Sequence, residues 1–454
     1  MKWAAWRYLW TSQDVRRKLL ITIGILTIYR LVSHVPVPGA NPESISRILL
    51  GPGAAGTFVG ILDLLSGGTV SNFSVLAMGV YPYITAQIIL QLLVPIIPAL
   101  QKRMEEDPRE GRKWMEKWTY ILAVPMAALN AIGQINIFNS MAVQAQLPLV
   151  ITNFGLKVDQ ILPTFTIILS MTAGTMFAIW LGELISEFGI RNQGLSLIIF
   201  AGIVARIPNT FIQIWADEAH RWFALFFMLF TTVLIIAAIV YVQQGRRNVP
   251  VMYPGRRVGS RMSMPVKGTL PLMVNMAGMI PLIFAQSILT FPAIIASYFV
   301  SSKTQWVSTF ASSITNIFNG GHWIYWLIYF LFVVGGTFFY TDVLFSQQNY
   351  GENLKRVGAQ IPGVSRGAPT QKYLTKVLRR ITFPGALFLG IVAILPYLLS
   401  QLLSAFGIGL GTQSSVLLVS SAGLLIVVGV VRDTFFTIDA ELKLHGYDES
   451  LLIR

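Results

Sequence analysis

Basic residues in this chain are confined almost entirely to five hydrophilic stretches that alternate with stretches nearly free of them. Residues 1–18, 98–117, 244–269, 346–381 and 432–454 hold 27 of the 34 Lys and Arg. The intervening stretches 39–72, 139–160, 217–221, 300–321 and 403–412 hold four, namely Arg47, Lys157, Arg221 and Lys303. Loops that stay on the cytoplasmic side of a membrane are enriched in Lys and Arg, because carrying those charges across is disfavoured. The alternation predicts an even number of crossings with both termini on the cytoplasmic side.

Composition points the same way. Hydrophobic residues make up 54 % of the 454 and charged residues 12 %, about half the usual share of a soluble domain. The formal net charge of +14 sits in the loops and implies anionic headgroups or acidic and RNA-bearing partners on that side. Cysteine is absent, which excludes disulfides, thiolate metal sites and thiol catalysis. The first apolar run ends at Pro36-Val37-Pro38 without a small-residue cleavage site, so it reads as a retained span rather than a signal peptide.

Runs long enough to cross about 30 Å of hydrocarbon, roughly 20 helical residues, lie near 19–38, 73–97, 118–138, 161–186, 195–216, 222–243, 270–299, 322–345, 382–402 and 413–431. The expected fold is an all-α polytopic membrane protein of ten transmembrane helices. Five is odd, so the second five must run antiparallel to the first, as two inverted pseudo-symmetric halves with the functional path between them. The halves are 1–216 and 222–454, joined by the external hinge 217–221. Residues 57–66 are apolar but too short to cross, and Gly67-Gly68 follow. They read as a half-helix on a flexible joint, or as an interfacial helix lying on the lipid.

Catalytic signatures are missing. GPGAAG at 51–56 matches a dinucleotide fingerprint but follows no strand and lacks the acidic residue about 20 positions on. The four histidines are scattered, and there is no phosphate-binding G-x-x-x-x-G-K-[ST], so neither an enzyme nor a nucleotide-driven motor is expected. Arg30, about 18 Å into the first span, and Arg206 in the fifth read as snorkelling or carbonyl-paired side chains, or else as a substrate site. Gln87 and Gln91 are spaced i,i+4 in the second span. Asn275 and Gln286, eleven apart, are expected to share a face of the seventh. Such amides give interhelical hydrogen bonds of about 0.6 and rarely above 2 kcal/mol, enough for generic helix glue or for a seam that opens.

Six stretches carry a resemblance. YRLVSHVPVPG at 29–39, LLSGG at 64–68, MGVYPYITAQIILQLL at 78–93, GTMFAIWLGELISEFGIRNQGLSLIIFAGIV at 174–204, VNMAGMIPLIFAQSILTFPA at 274–293 and FFYTDVLFSQQNYGENLKRVGAQIPG at 338–363 resemble, in the same order, the SecY family of protein-translocation channels. The resemblance runs from about residue 15 to about 440 and implies ten helices in two inverted halves around an hourglass pore. It implies an apolar constriction at Val80, Ile84, Leu195, Ile199, Ile283 and Ile426, where a narrow collar dewets and blocks ions. It makes 57–66 a plug, with Phe58, Ile61, Leu62, Leu64 and Leu65 against the pore.

The same resemblance places a lateral gate between the second and third spans on one side and the seventh and eighth on the other. Thr85, Gln87, Gln91, Asn275, Gln286 and Phe291 fall on it, with Pro281 and Pro292 as kinks that help a helix pivot. The basic loops become docking surfaces, through Arg246, Arg247, Arg256 and Arg257 in 244–269 and Arg366 in 346–381. The implied partners are SecE-like and SecG-like small membrane subunits, the SecA ATPase, the ribosome, signal sequences and nascent polypeptides, and membrane lipids. No cofactor or metal is implied, and the implied location is the bacterial cytoplasmic membrane. Two departures stand out: Val364-Ser365-Arg366-Gly367 displaces an arginine by one residue and loses a proline, and FGIRNQG at 188–194 is one residue longer than the family's form. The competing class is an inverted-repeat secondary transporter of a small solute. That reading expects carboxylates at the midplane, and only Glu183 comes near a span interior.

Overall fold

The computed structural model describes residues 12–444 except 51–68, 71–72, 145, 156–157, 216–220, 255–256, 259–260, 263–265, 300–303, 319–321 and 406–420. The proposed plug, GPGAAG and most of the 217–221 hinge lie outside the described residues. In chain order the elements are α1 (Gln13–Val32), α2 (Pro42–Leu50), α3 (Tyr81–Ile96), α4 (Pro98–Glu106), α5 (Pro108–Gln144), α6 (Val158–Phe188), α7 (Gly194–Trp215) and α8 (Arg221–Gln244). There follow β1 (Arg246–Tyr253), β2 (Arg257–Val258), β3 (Arg261–Met262) and β4 (Val266–Met273). The rest is helical: α9 (Ile280–Phe299), α10 (Gln305–Asn316), α11 (Trp323–Gln347), α12 (Tyr350–Arg356), α13 (Ala368–Ala405) and α14 (Ser421–Leu444).

Each expected apolar stretch contains part of a long helix. By length and hydropathy, Arg109–Val143, Asp159–Phe188, Trp222–Gln244, Trp323–Arg356 and Ala368–Leu399 qualify alone as membrane-crossing. A sixth forms if α3 and α4, bent by 94°, count as one span. The α8 helix shows what the medium is: Phe226, Leu229, Phe230, Val233 and Leu234 are all more than half exposed. A contiguous apolar face of that size is not left to water by a folded protein. The protein is a multi-pass membrane protein.

Two compact units are drawn from both halves of the chain. Residues 1–232, 287–326 and 396–454 form the first. There α5 packs on α3, α4 and α6, and α1 packs on α6, α7 and α14. A salt bridge of 2.7 Å from Lys18 Nζ to Glu441 Oε1 ties α1 to α14. The apolar centre gathers Phe73, Phe138, Ile135, Ile151 and Met171, with the Phe73 and Phe138 rings edge-on at 5.2 Å. Arg30 sits in the last turn of α1 rather than at mid-helix, where the helix dipole favours a cation. Its Nη1 is buried with no hydrogen-bond partner among the described residues.

The second unit, 233–286 and 327–395, corrects the reading of the basic loops as plain loops. β1 and β4 form an antiparallel hairpin in register from Arg246↔Met273 to Tyr253↔Val266, with β2 and β3 paired inside it. Val249, Val251 and Leu272 bury one face against Phe345, Ala359, Ile361, Leu374, Val377 and Leu378. Backbone bonds between Met252 and Gln360, 2.8 and 2.9 Å, stitch the hairpin to the second basic stretch. The two loops share one core.

Two spans begin later than the apolar runs that announced them. Residues 73–80 are turns apart from Ser74, which bridges to Pro36, and α3 starts at Tyr81 behind Gly79 with φ +51° and with Pro82 in its first turn. In the seventh run, 270–273 belong to β4 and α9 starts only at Ile280. Asn275 is therefore not on the helix and shares no helical face with Gln286. Its Oδ1 accepts from Gly278 N at 2.9 Å and its Nδ2 donates to Gly278 O at 3.2 Å, closing a turn that needs Gly278 at φ +63°. Pro281 stands in the first helical turn, where its missing N–H has no partner to lose. It starts α9 rather than kinking it, and only Pro292 lies inside.

Candidate functional site

Small residues position the first group of candidate pore side chains. α6 and α7 form a helical hairpin whose turn uses Asn192 at φ +57°. Ser186 Oγ donates to Gly182 O and accepts from Gly194 N, both at 3.1 Å. A Cβ on Gly194 would fall on the Gly182 carbonyl oxygen, and one on Gly182 would meet Leu195 Cδ2 at 2.7 Å. This clasp sets Leu195 and Ile199 on the first two turns of α7, Leu195 half-buried and Ile199 buried. α14, which packs on α7, carries Ile426, also buried. Val80 caps α3 and is buried, and Ile84, half-buried, follows one turn on. Higher up, Gly174 of α6 leaves room for the Val75 carbonyl of the segment leading into α3. Ile283, buried in the first turn of α9, belongs to the second unit.

All six positions are aliphatic, and the described ones from the first unit come from three helices. Such a set offers nothing for catalysis or ion coordination. Five of the six are β-branched, with little χ1 freedom, and Leu195 is the exception.

The contact between α3 and α9 includes hydroxyl groups. The Tyr81 hydroxyl lies close to the hydroxyls of Ser287, Thr85 and Thr290. The Thr85 and Ser287 hydroxyls lie 3.4 Å apart, and Thr85 Oγ1 also donates to Tyr81 O at 3.0 Å. Thr85 is thus the expected gate residue found in direct contact across the two helices. Tyr81, Ser287 and Thr290 were not foreseen. Gln87 and Gln91 are half-buried on α3, and Gln286 is buried on α9. The Phe291 side chain lies outside the described residues. Toward the far end of α9 the neighbour is α5 and the contact is apolar: a Cβ on Gly133 of α5 would meet Ile294 Cγ2 at 2.5 Å. Ile294 joins the cluster containing Ala127, Ala131 and Ile135.

On the basic body, Arg246 and Arg247 are exposed at the base of the hairpin, and Arg366 is exposed between Gly363 and Gly367, both at positive φ. Arg256 lies outside the described residues, as does the side chain of Arg257. Alongside is a groove of about 830 Å³ whose lining includes Lys372, Lys376, Arg379 and Arg380 with Glu352. Arg379 is held by Asp342 of α11, Nη2 to Oδ2 at 2.8 Å. Lys372 and Lys376 are i,i+4 neighbours on one face of α13, a cluster that single-position reading of the loop had passed over.

Comparison with known proteins agrees with this geometry. The family model for SecY matches residues 74–435. The protein translocase subunit SecY of Aquifex aeolicus (strain VF5) is 38% identical over 447 residues, covering 97% of each chain. A solved structure described as that of a protein-conducting channel superposes with a TM-score of 0.59 at 17% identity, over 96% of this chain and 95% of the other. Another, of a SecY protein whose plug domain stabilises the closed channel and maintains a membrane seal, gives 0.58 at 18% over the same shares. These likenesses fix the fold, and the sequence match fixes the lineage: the chain belongs to the SecY family.

Proposed function

We propose that the chain is the channel-forming subunit of a protein translocase, conducting unfolded secretory polypeptides across the membrane and releasing apolar segments sideways into lipid. The observation that carries this reading is the pairing of two features in one bundle. Aliphatic side chains fill five of the proposed ring positions (Val80, Ile84, Leu195, Ile199, Ile426), and on α3 the first two alternate with Tyr81 and Thr85, whose hydroxyls face α9. A passing polypeptide of any sequence meets a lining with no hydrogen bond to break, while the seam supplies a boundary weak enough to part.

In this reading ten helices cross the membrane as two inverted halves, 1–216 and 222–454, in the bacterial cytoplasmic membrane with both termini inside. Val80, Ile84, Leu195, Ile199, Ile283 and Ile426 form the ion seal, and 57–66 plug it from outside. α3 and α5 face α9 and α11 across the gate. The basic body docks the ribosome and a SecA-type ATPase, which supplies the energy the chain lacks, and small SecE-like and SecG-like subunits complete the complex. Support for docking is the surplus of charge: 244–269 carry six basic residues and no acid, more than topology requires.

Docking is tested by reversing Arg256 and Arg257 to Glu, which leaves Arg246, Arg247, Arg261 and Lys267 to hold the loop inside. Ribosome co-sedimentation with reconstituted vesicles is run over a salt series beside a protease check of orientation. Each lost phosphate contact flattens the slope of log affinity against log salt by about 0.7 to 0.9. Equal affinity and slope would leave these arginines with topology alone.

A further inference from the structure

α10 lies between α9 and α11 and carries no charged residue over its twelve positions. It has two distinct faces. Ala311 is buried and Val307 and Ile314 are half-buried, at i, i+4 and i+7, so this stripe packs into the protein. Trp306 and Phe310 point the other way, 75% and 58% exposed, with their rings stacked at 5.9 Å and 8°. Thr309 and Ser313 complete that exposed face at the same helical spacing.

Four hydroxyls of this helix are turned inward on its own backbone. Thr309 Oγ1 donates to Gln305 O, Ser312 and Ser313 Oγ to Thr309 O, and Thr315 Oγ1 to Ala311 O, all at 2.8 or 2.9 Å. Their donors need no water, so the face around Trp306 and Phe310 behaves as more apolar than its composition. Water is a poor medium for two stacked, exposed aromatic rings.

The tethers limit where this face can be. Only residues 300–304 separate Phe299 from Gln305, a reach of about 20 Å at full extension. Six residues, 317–322, lead on to Trp323. Phe299 and Trp323 are themselves 51% and 57% exposed at the ends of apolar helices, the level at which aromatic side chains collect beside a bilayer.

We propose that α10 is an interfacial anchor lying at the boundary between headgroups and acyl chains. Trp306 and Phe310 enter the lipid, and Val307, Ala311 and Ile314 hold the helix to the protein. The proposal rests on reading α9 and α11 as spans, and the charge alternation puts the anchor in the outer leaflet. It fixes the depth of the outer ends of two helices on one side of the gate, so that they slide within the membrane surface rather than rise through it.

The absence of cysteine allows a clean test. Ser313→Cys is labelled with an environment-sensitive fluorophore, and the purified full-length protein is placed in lipid nanodiscs, where water-soluble quenchers reach both leaflets. The expected result is quenching by a lipid spin-labelled near the top of the acyl chain, with iodide quenching at least about threefold weaker than at a labelled Ser365→Cys. Adding Trp306→Gln and Phe310→Gln, which leave the protein-facing stripe intact, should restore iodide access. Iodide quenching equal at both positions would mean the face stands in water, open to a soluble partner. Protection from both quenchers would mean another polypeptide covers it, and an unchanged label in the double variant would remove the aromatics from the mechanism. Each of these overturns the anchor. A label at Ile295→Cys reports separately on α9: if iodide reaches it freely, the spanning reading has failed rather than the anchor.

Discussion

The α6–α7 hairpin and the α3–α9 seam belong to the same compact unit but are joined on opposite principles. The hairpin closes on two glycines, with backbone against backbone and no room for a methyl group between Gly194 and the Gly182 carbonyl. The seam closes on hydroxyl-bearing side chains, among them the cross-helix pair Thr85 and Ser287 at a long 3.4 Å, and they have alternatives: Thr85 already donates to its own helix at 3.0 Å. Close-packed joints lose their energy steeply over fractions of an ångström, whereas hydroxyl pairs within a membrane are worth about 0.6 and at most about 2 kcal/mol each. In the proposed channel the first joint would hold Leu195 and Ile199 still and the second would part.

The largest effect should come from breaking the rigid joint. Gly194→Val drives a branched side chain into the Gly182 backbone and should cost about 3 kcal/mol or more. Little folded protein should then accumulate in membranes, as read by protease resistance. Gly182→Ala meets side chains rather than backbone, those of Leu195 and Ile198, and should cost less than half as much. Equal tolerance of both would show that the hairpin is not tightly clasped.

Next in size is the lining that the rigid joint carries. Ile199→Ser with Ile426→Ser should hydrate the constriction and raise resting ion conductance in planar bilayers several-fold without unfolding the bundle. Unchanged conductance would move the seal elsewhere. Gly133→Ala acts on the seam from its apolar end, pushing Ile294 away. It should lower the barrier to lateral release and let weakly apolar signal segments through. The smallest effect belongs to Tyr81→Phe, which removes one hydroxyl from the seam. A loss of about 0.6 to 2 kcal/mol shifts the closed-to-open ratio about three- to thirty-fold, measurable as tolerance of defective signal sequences. No change would take Tyr81 out of the gate.

Much of the fold was legible because bilayer thickness and charge placement act on whole segments, and averages over 20 residues forgive local error. The misreadings fall where an apolar run changes structure without changing polarity. Leu270 and Leu272 alternate in a strand, and the run then continues through Met276 and Ala277 into α9, so hydropathy alone joined two elements. Gly278 marks the break, but its positive φ leaves no trace in an average. That error carried Asn275 onto a helix it never joins. The seam was half legible: Thr85 falls in the expected gate set, whereas Tyr81, its i,i+4 neighbour, and Ser287 and Thr290, spaced i,i+3, do not. Hydroxyls usually bond to their own helix, as Thr337 does to Val333 O. Nothing in the sequence separates those that bond across. The basic loops were legible as charge and illegible as structure, because Val249, Val251 and Leu272 find their core about 70 to 130 residues further along.

The central claim is that the α3–α9 seam must open for the protein to work, and one pair of substitutions tests it. Thr85→Cys with Ser287→Cys places two thiols where two hydroxyls now sit 3.4 Å apart, in a chain with no other cysteine. Oxidation should join α3 to α9, since a disulfide needs the two side chains in contact. Transport of a secretory protein into reconstituted vesicles is then measured before oxidation, after it, and after reduction. The account predicts that the oxidised protein stops transporting and that reduction restores the original rate. Full crosslinking with transport undiminished would contradict it, since the seam would then be a fixed joint like the hairpin beside it.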